Sequence, residues 1–274
     1  MVFKPIQELC GVFDDWADHY GADREKTPYF RAQLAIVLGM LAKEKGTILA
    51  AGCAAGGEFP ELRARKFDIV GIDLSARMLE FAHRRFAADQ SVRFCRADIE
   101  YLPFAAGSVD HVVCLGVFEY LRDYNQSLAE IHRVMRPGGV AVFAIPSRIS
   151  LYNVTDCILN KTIRPLWLPT KRFLFPAASR PGGPAVYRNL CVPWVFRNLL
   201  QQHGFTPMRD RYSNFFIYLL DRFPSLNERV AAALEPLCSM PLLRYAGSVY
   251  LVAARKRLML IRSAGVVDTN GGPE

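Results

Sequence analysis

Between residues 45 and 147, short apolar runs alternate with segments whose apolar residues recur every three or four positions. Thr47-Ile48-Leu49-Ala50-Ala51 is one such run, and Phe67-Asp68-Ile69-Val70-Gly71-Ile72, ending at Asp73, is the next. Residues 91–98, closing on Asp98, residues 109–115 and residues 140–145 supply three more. Runs this short, bounded by turn residues, predict strands, whereas Leu128, Ile131 and Met135 fall on one helical face. Asp123-Tyr124-Asn125-Gln126 reads as a capping-box-like start for that helix, and Arg136-Pro137-Gly138-Gly139 stops it. Strands alternating with helices predict an α/β fold with a doubly wound, Rossmann-like sheet.

The flanks follow other patterns. Residues 10–42 read as one or two helices, with Phe13, Trp16 and Tyr20 at i, i+3 and i+7. Residues 147–183 carry Pro165, Pro169, Pro176 and Pro181 and are rich in aromatic and basic residues, so helix is poorly indicated there. Pro193 and Gly204 bracket a further helix. A sixth strand is expected within 205–220. A helix over 221–240 would carry Leu226, Val230, Leu234 and Leu237 on one face, and residues 248–255 read as a seventh strand. The whole is expected to be a single domain over 1–274, with a disordered tail over 257–274.

The break between the first two runs carries the chemistry. Gly52-Cys53-Ala54-Ala55-Gly56-Gly57 lets backbone approach a ligand closely, and Asp73, 21 residues after Gly52, presents a carboxylate at the next strand's tip. Strand, glycine turn, helix, strand, acid is the arrangement of a nucleoside-binding βα unit, the acid accepting both ribose hydroxyls.

With these residues in place, the order of elements resembles the class I S-adenosylmethionine-dependent methyltransferases, specifically the small-molecule branch that includes the ubiquinone and menaquinone enzymes. The resemblance is close over residues 10–147 and looser over 190–256. It implies a seven-stranded, mostly parallel sheet with an antiparallel last strand, S-adenosyl-L-methionine as cofactor and S-adenosyl-L-homocysteine as product. It places Ala51, Gly52, Cys53, Ala54 and Gly56 beside the methionine moiety and Asp73 on the ribose. Leu74 and Met78 would face the adenine side, Asp98 its amino group, with Ile99 on the ring and Leu115 under the methionyl end. Residues 1–45 would form cofactor-covering helices, with Tyr20 among the contacts, and residues 46–147 the cofactor-binding core. The sequence departs from the pattern twice: Ala50 replaces the usual acid before the turn, and Ala54 its middle glycine.

Methyl transfer needs a base only when the nucleophile carries a proton. His19 and Tyr120 are the candidates, Tyr120 standing where relatives have a histidine. His83 and His132 read as surface residues. An insertion after the fifth strand would lie over the ligand crevice. Residues 148–190 are therefore expected to form a substrate lid, with Trp167, Phe173 and Phe175 as apolar wall. Glu119, Tyr120, Lys171, Arg172 and Arg188 would contact the substrate, and residues 191–256 would complete the sheet.

Charge sharpens this division. Residues 151–274 carry 16 Lys/Arg against 7 Asp/Glu, whereas residues 1–150 carry 18 against 19. The excess in the second half reads either as a solvated face or as a partner site for an acidic substrate or anionic surface. Arg255-Lys256-Arg257, its densest cluster, fits a solvated terminus equally well. Seven cysteines include no Cys-x-x-Cys pair, so neither zinc nor a disulfide framework is indicated, and no metal site is assigned. No apolar run reaches the ~18 residues of a membrane span and no signal-peptide core precedes the fold, so a cytoplasmic setting is expected.

The leading expectation is a methyltransferase acting on a small, largely apolar acceptor such as a lipid, quinone or natural product. Two others stand beside it: a non-methylating S-adenosylmethionine-binding protein or cyclase on the same fold, suggested by Ala50 and Ala54, and an NAD(P)-dependent oxidoreductase. Asp98 and the Arg-Pro-Gly-Gly turn argue against the last. The expected partner is a small molecule rather than nucleic acid, with peripheral membrane contact and a homodimer left open.

Overall fold

The computed structural model describes residues 6–24, 27–41, 44–158, 189–215, 224–234 and 243–258, together with Pro236 and Met240. Two helices, α1 (Ile6–Arg24) and α2 (Pro28–Met40), precede the sheet. The apolar runs become β1 (Thr47–Ala51), β2 (Asp68–Asp73), β3 (Val92–Arg96), β4 (His111–Leu115) and β5 (Val140–Pro146). Helices α3 (Phe59–Ala64), α4 (Ala76–Phe86) and α5 (Asn125–Val134) connect them, and a 3-10 turn, Phe118–Tyr120, follows β4. Then come α6 (Leu151–Cys157), α7 (Pro193–Gln202), β6 (Phe205–Ser213), α8 (Pro224–Leu234), a 3-10 turn at Leu243–Ala246 and β7 (Val249–Lys256).

The seven strands lie in the order β3-β2-β1-β4-β5-β7-β6. β1 to β5 are mutually parallel, and β7 runs antiparallel to both β5 and β6. This is the expected doubly wound sheet. The order reverses between β1 and β4, so a crevice opens there beyond the carboxyl ends, where such sheets bind ligands.

Each face of the sheet is a core layer. Leu49, Val112, Phe143 and Val252 face Ile131, Phe196 and Phe205 on one side. Ile48, Ala50, Val113, Val142 and Leu251 face Leu41, Phe59 and Leu62 on the other. Strands covered on both faces cannot alternate with polar residues, which explains why the central strands read as continuous apolar runs. Gly139 shows how tightly the fifth strand enters: a Cβ there would lie 2.1 Å from the Asp110 carbonyl oxygen.

Four local expectations are corrected. The segment after β5 does form a helix, α6, ahead of its first proline at Pro165, with Ser150 Oγ accepting the Asn153 amide at its N-cap. The capping box does not form, because the N-cap of α5 is Tyr124 without a side-chain cap, and Asp123 instead accepts from the Asn125 amide. Leu226 is exposed on α8, whose buried residues include Asn227 and Ala231, while Val230 is half-buried and Leu234 packs on the core as expected. His132 is not a free surface residue: its ring meets Phe205 edge-on at 5.3 Å.

Candidate functional site

β1 ends at Ala51 and the chain turns on Gly52, whose φ of +72° suits glycine alone. A Cβ there would lie 2.1 Å from Val117 Cγ2, so the turn also abuts the residues after β4. The Gly52 and Cys53 amides donate to the Ile72 carbonyl at 2.8 and 2.9 Å, which ties the turn to β2. The next amide, Ala54, donates to Asp73 Oδ2 at 2.8 Å, and Ser75 N donates to Oδ1 at 2.9 Å. Ala54 adopts φ +46°, a left-handed conformation that costs a residue with a Cβ about 1 kcal/mol. Gly56 is also left-handed, at +73°.

Two backbone donors orient Asp73 without saturating it, since a carboxylate has about four acceptor sites. The remaining capacity matches the two hydroxyls of a ribose diol. Burial pushes the Asp73 carboxyl above its usual range, against the pull of the Ser75, Ala54 and Leu74 amides, and the nearby Asp14 charge pushes the same way. Burial, then Asp73 and Glu58, hold the Cys53 thiol well above its ordinary value, so it stays protonated and is no nucleophile.

α1 crosses this site. Its Cys10 thiol lies 3.9 Å from the Leu74 carbonyl. Ser75 Oγ donates to Asp14 Oδ1 at 2.5 Å while accepting from Met78 N at 3.0 Å. At the far side, the Phe13 ring meets Tyr120 edge-on at 5.1 Å. The helix therefore spans from the tip of β2 to the turn after β4. Met78 and Ile99 are buried beside these tips, and Leu74 and Leu115 are half-buried. Asp98 Oδ1 accepts the Glu100 amide at 2.9 Å. Glu119 is buried, and its carbonyl accepts Asn189 N at 2.5 Å, bringing residues 189–191 against the site.

Asp14 and Glu58 escaped the sequence reading. Asp14 sits 61 residues from its partner Ser75, so only folding reveals the pair. Glu58, buried at the N-cap of α3 and felt by Cys53, carried a legible signal as the acid directly after the glycine turn. Ala50 is 1% exposed and packed into the core layer with Cys53 and Phe59.

Other expected residues fall elsewhere. His19 and Tyr20 lie within α1, but their side chains are outside the described residues. Lys171, Arg172, Arg188, Trp167, Phe173 and Phe175 also lie outside them, as does most of the expected lid. His111 is structural: Nδ1 accepts from Val140 N at 3.1 Å, so Nε2 donates to the Lys45 carbonyl at 3.0 Å. The basic cluster at the end of β7 is no loose terminus. Lys256 Nζ donates to the His132 and Met135 carbonyls at 2.6 and 2.8 Å, closing the end of α5. Arg255 donates to the Gly138 carbonyl and Glu44. Among the described residues, no helix is long and apolar enough to cross a membrane.

Residues 49–143 match the family described as Methyltransferase domain. Over 145 residues the chain is 32% identical to a malonyl-[acyl-carrier protein] O-methyltransferase of Enterobacter lignolyticus (strain SCF1), covering 53% of this chain and 56% of the relative. Over 78 residues it is 42% identical to a demethylmenaquinone methyltransferase of Deinococcus radiodurans, covering 28% of this chain and 32% of that one. The chain thus spans about half or less of the length of these relatives. Its fold matches a geranyl diphosphate C-methyltransferase from Streptomyces coelicolor A3(2), solved with Mg2+, geranyl diphosphate and S-adenosyl-L-homocysteine. The TM-score is 0.58 at 16% identity, over 92% of this chain and 99% of the other.

Proposed function

We propose, from the match of residues 49–143 to the Methyltransferase domain family, that the chain is a class I S-adenosylmethionine-dependent methyltransferase that methylates a small, largely apolar acceptor and releases S-adenosyl-L-homocysteine. The observation that carries this reading is the Asp73 carboxylate, held by the Ala54 and Ser75 amides at the switch point with acceptor capacity to spare. On this reading Asp73 takes the ribose diol, and the Ala51–Gly56 turn approaches the methionine moiety with bare backbone. Met78 and Leu74 line the adenine side with Asp98 and Ile99, Leu115 underlies the methionyl end, and Tyr20 contributes from α1.

When bound, S-adenosylmethionine supplies a methyl group already activated by its sulfonium. The protein's work is then to align the acceptor and exclude water, for which proximity alone provides much of the acceleration. α1 is pinned through one turn, with Asp14 on Ser75 and the adjacent Phe13 on Tyr120, and on this reading that turn shields the site from solvent. Tyr120 or His19 would take a proton if the acceptor carries one, and Glu119 and Tyr120 would border the acceptor. Residues 148–190, with Lys171, Arg172 and Arg188, would close over it. Glu58 is the described carboxylate that would stand nearest the turn in place of the acid missing at Ala50. That missing acid also favours the second reading, a protein that binds S-adenosylmethionine without transferring its methyl.

Calorimetry with S-adenosylhomocysteine tests the assignment. Asp73→Ala should lose about 1.5–3 kcal/mol of binding, as expected for a charged acceptor removed from a diol; unchanged affinity would refute it. The pH dependence has a definite sign. Because the folded pKa of Asp73 is raised, its stabilising contribution is present at low pH and is lost as pH rises through that value. Ionised Asp73 therefore costs the free protein stability at neutral pH. Asp73→Asn keeps only one of the two acceptor oxygens that the Ala54 and Ser75 amides use, so it should bind S-adenosylhomocysteine more weakly and gain no melting temperature from the lost charge.

A further inference from the structure

The cofactor assignments use the ends of β1 to β4 and leave the ends of β5, β7 and β6 without a role. The register there continues past the named strands. Pro146 pairs with Val249, and Val249 with Ser213. One step on, Ser147 N donates to the Ser248 carbonyl at 2.8 Å, and Ser248 N to the Asn214 carbonyl at 2.9 Å. Ser147, Ser248 and Asn214 thus form one row across three strands, on the face shared by Ile145, Tyr250 and Tyr212 two residues back. Their exposures are 0%, 9% and 5%.

Neither Ser147 Oγ nor Ser248 Oγ has a hydrogen-bond partner. Buried hydroxyls are almost always paired, and leaving two neighbouring ones unpaired is costly without a function. The main-chain groups of Ser147 are by contrast well used, its carbonyl accepting from Asn153 Nδ2 at 2.6 Å. Directly opposed residues on adjacent antiparallel strands have Cβ atoms about 5 Å apart. Two hydroxyls so placed can both reach one oxygen atom between them at about 2.8 Å.

We propose that Ser147 and Ser248 form a subsite that holds one uncharged oxygen, a hydroxyl or carbonyl, of the methyl acceptor. The proposal rests on the methyltransferase reading and names the acceptor chemistry for that site. β5 lies one strand from β4 and Leu115 pairs with Ala144, three residues before Ser147, so an oxygen bracketed between β5 and β7 sits about 7 Å across and about 10 Å along from the end of β4. That distance suits an acceptor reaching from this row to a methyl group above β4. The oxygen is uncharged because nothing in the row compensates an anion, and a buried anion against hydroxyls alone is poorly solvated. Arg244, the basic residue just before β7, faces Asp210 at 3.6 Å and donates to Tyr245, with its guanidinium 5.8 Å from the Tyr212 ring and its Nε buried without a partner. The tyrosine rings of the row below, 5.2 Å apart, offer an apolar wall for the rest of the molecule.

Three probes that differ at one position test this on the protein loaded with S-adenosylhomocysteine: 1-naphthol, naphthalene and 1-naphthoate. Calorimetry should show 1-naphthol binding about tenfold or more tightly than either of the others. In the Ser147→Ala/Ser248→Ala double variant, 1-naphthol should bind no better than naphthalene. The free variant should melt at or above the parent temperature, since it loses only unpaired buried hydroxyls; either single variant reads the same way if the double does not fold. No 1-naphthol binding, a preference for 1-naphthoate, or a preference that survives the double substitution would each overturn the subsite. Those outcomes leave the methyltransferase reading intact so long as S-adenosylhomocysteine binds. Failure of S-adenosylhomocysteine to bind would overturn that reading and the subsite with it.

Discussion

At the carboxyl ends of β1 and β2 the polar work is done by backbone amides within one short stretch of chain. At the ends of β5, β7 and β6 it falls to side chains that are far apart in sequence. The first edge shows most of its donors and acceptors engaged: Gly52, Cys53 and Ala54 amides on Ile72 and Asp73, and Ser75 on Asp73 and Asp14. The second keeps three buried hydroxyls unpaired, those of Ser147, Ser213 and Ser248. A rigid, backbone-built edge suits a ligand that never changes, because amide geometry is common to every sequence. A side-chain edge suits the ligand that differs between relatives, because hydroxyls can be exchanged without moving a strand. Charge follows the same division, near balance in residues 1–150 and strongly basic in 151–274.

The comparison can be broken by making the first edge tolerant. Gly52→Ala should have the largest effect, because it combines left-handed strain with a Cβ driven into Val117. A loss of about 3 kcal/mol in denaturant unfolding, with weakened S-adenosylhomocysteine binding, is expected. A variant as stable as the parent would show the turn is looser than its geometry states.

The second half is sharpened by Lys256. If its ammonium anchors β7 to the end of α5, Lys256→Ala should cost about 1.5 kcal/mol while leaving cofactor affinity alone. A solvated lysine would cost nothing, and the expectation of a free basic terminus would return. Ala54→Gly is the smallest of the three. It relieves left-handed strain and should stabilise by about 1 kcal/mol, with S-adenosylhomocysteine affinity retained or improved.

Apolar runs bracketed by turn residues locate β1, β2, β4, β5 and β7, which are largely buried on both faces; the edge strand β6, with Arg209, Asp210 and Arg211, has no such run and is bracketed only within 205–220. The ends were less legible. The fourth run read from Val109, yet β4 starts at His111, because Val109 makes only an isolated bridge to Met135. α8 showed the reverse difficulty: Leu226 looked like a core residue by spacing, but a short amphipathic pattern does not say which flank faces inward. His132 reads as a surface residue and the Arg255-Lys256-Arg257 cluster as a partner site or a solvated terminus, but the sheet order sets His132 against Phe205 and Arg255 and Lys256 on carbonyl groups, leaving Arg257 exposed.

What the sequence determined by itself was therefore everything whose partners are close in the chain. The glycine turn and the acid at the tip of the next strand are such features, since 21 residues of strand, turn and helix leave one compact way to return. Only the tertiary structure decided the groupings that join distant positions: Asp14 with Ser75, Lys256 with α5, and Ser147 with Ser248 and Asn214. The last of these depends on β7 inserting antiparallel between β5 and β6, which brings together residues up to about a hundred positions apart. No local pattern encodes that insertion, because serine and asparagine at strand ends look the same whether they face solvent or one another.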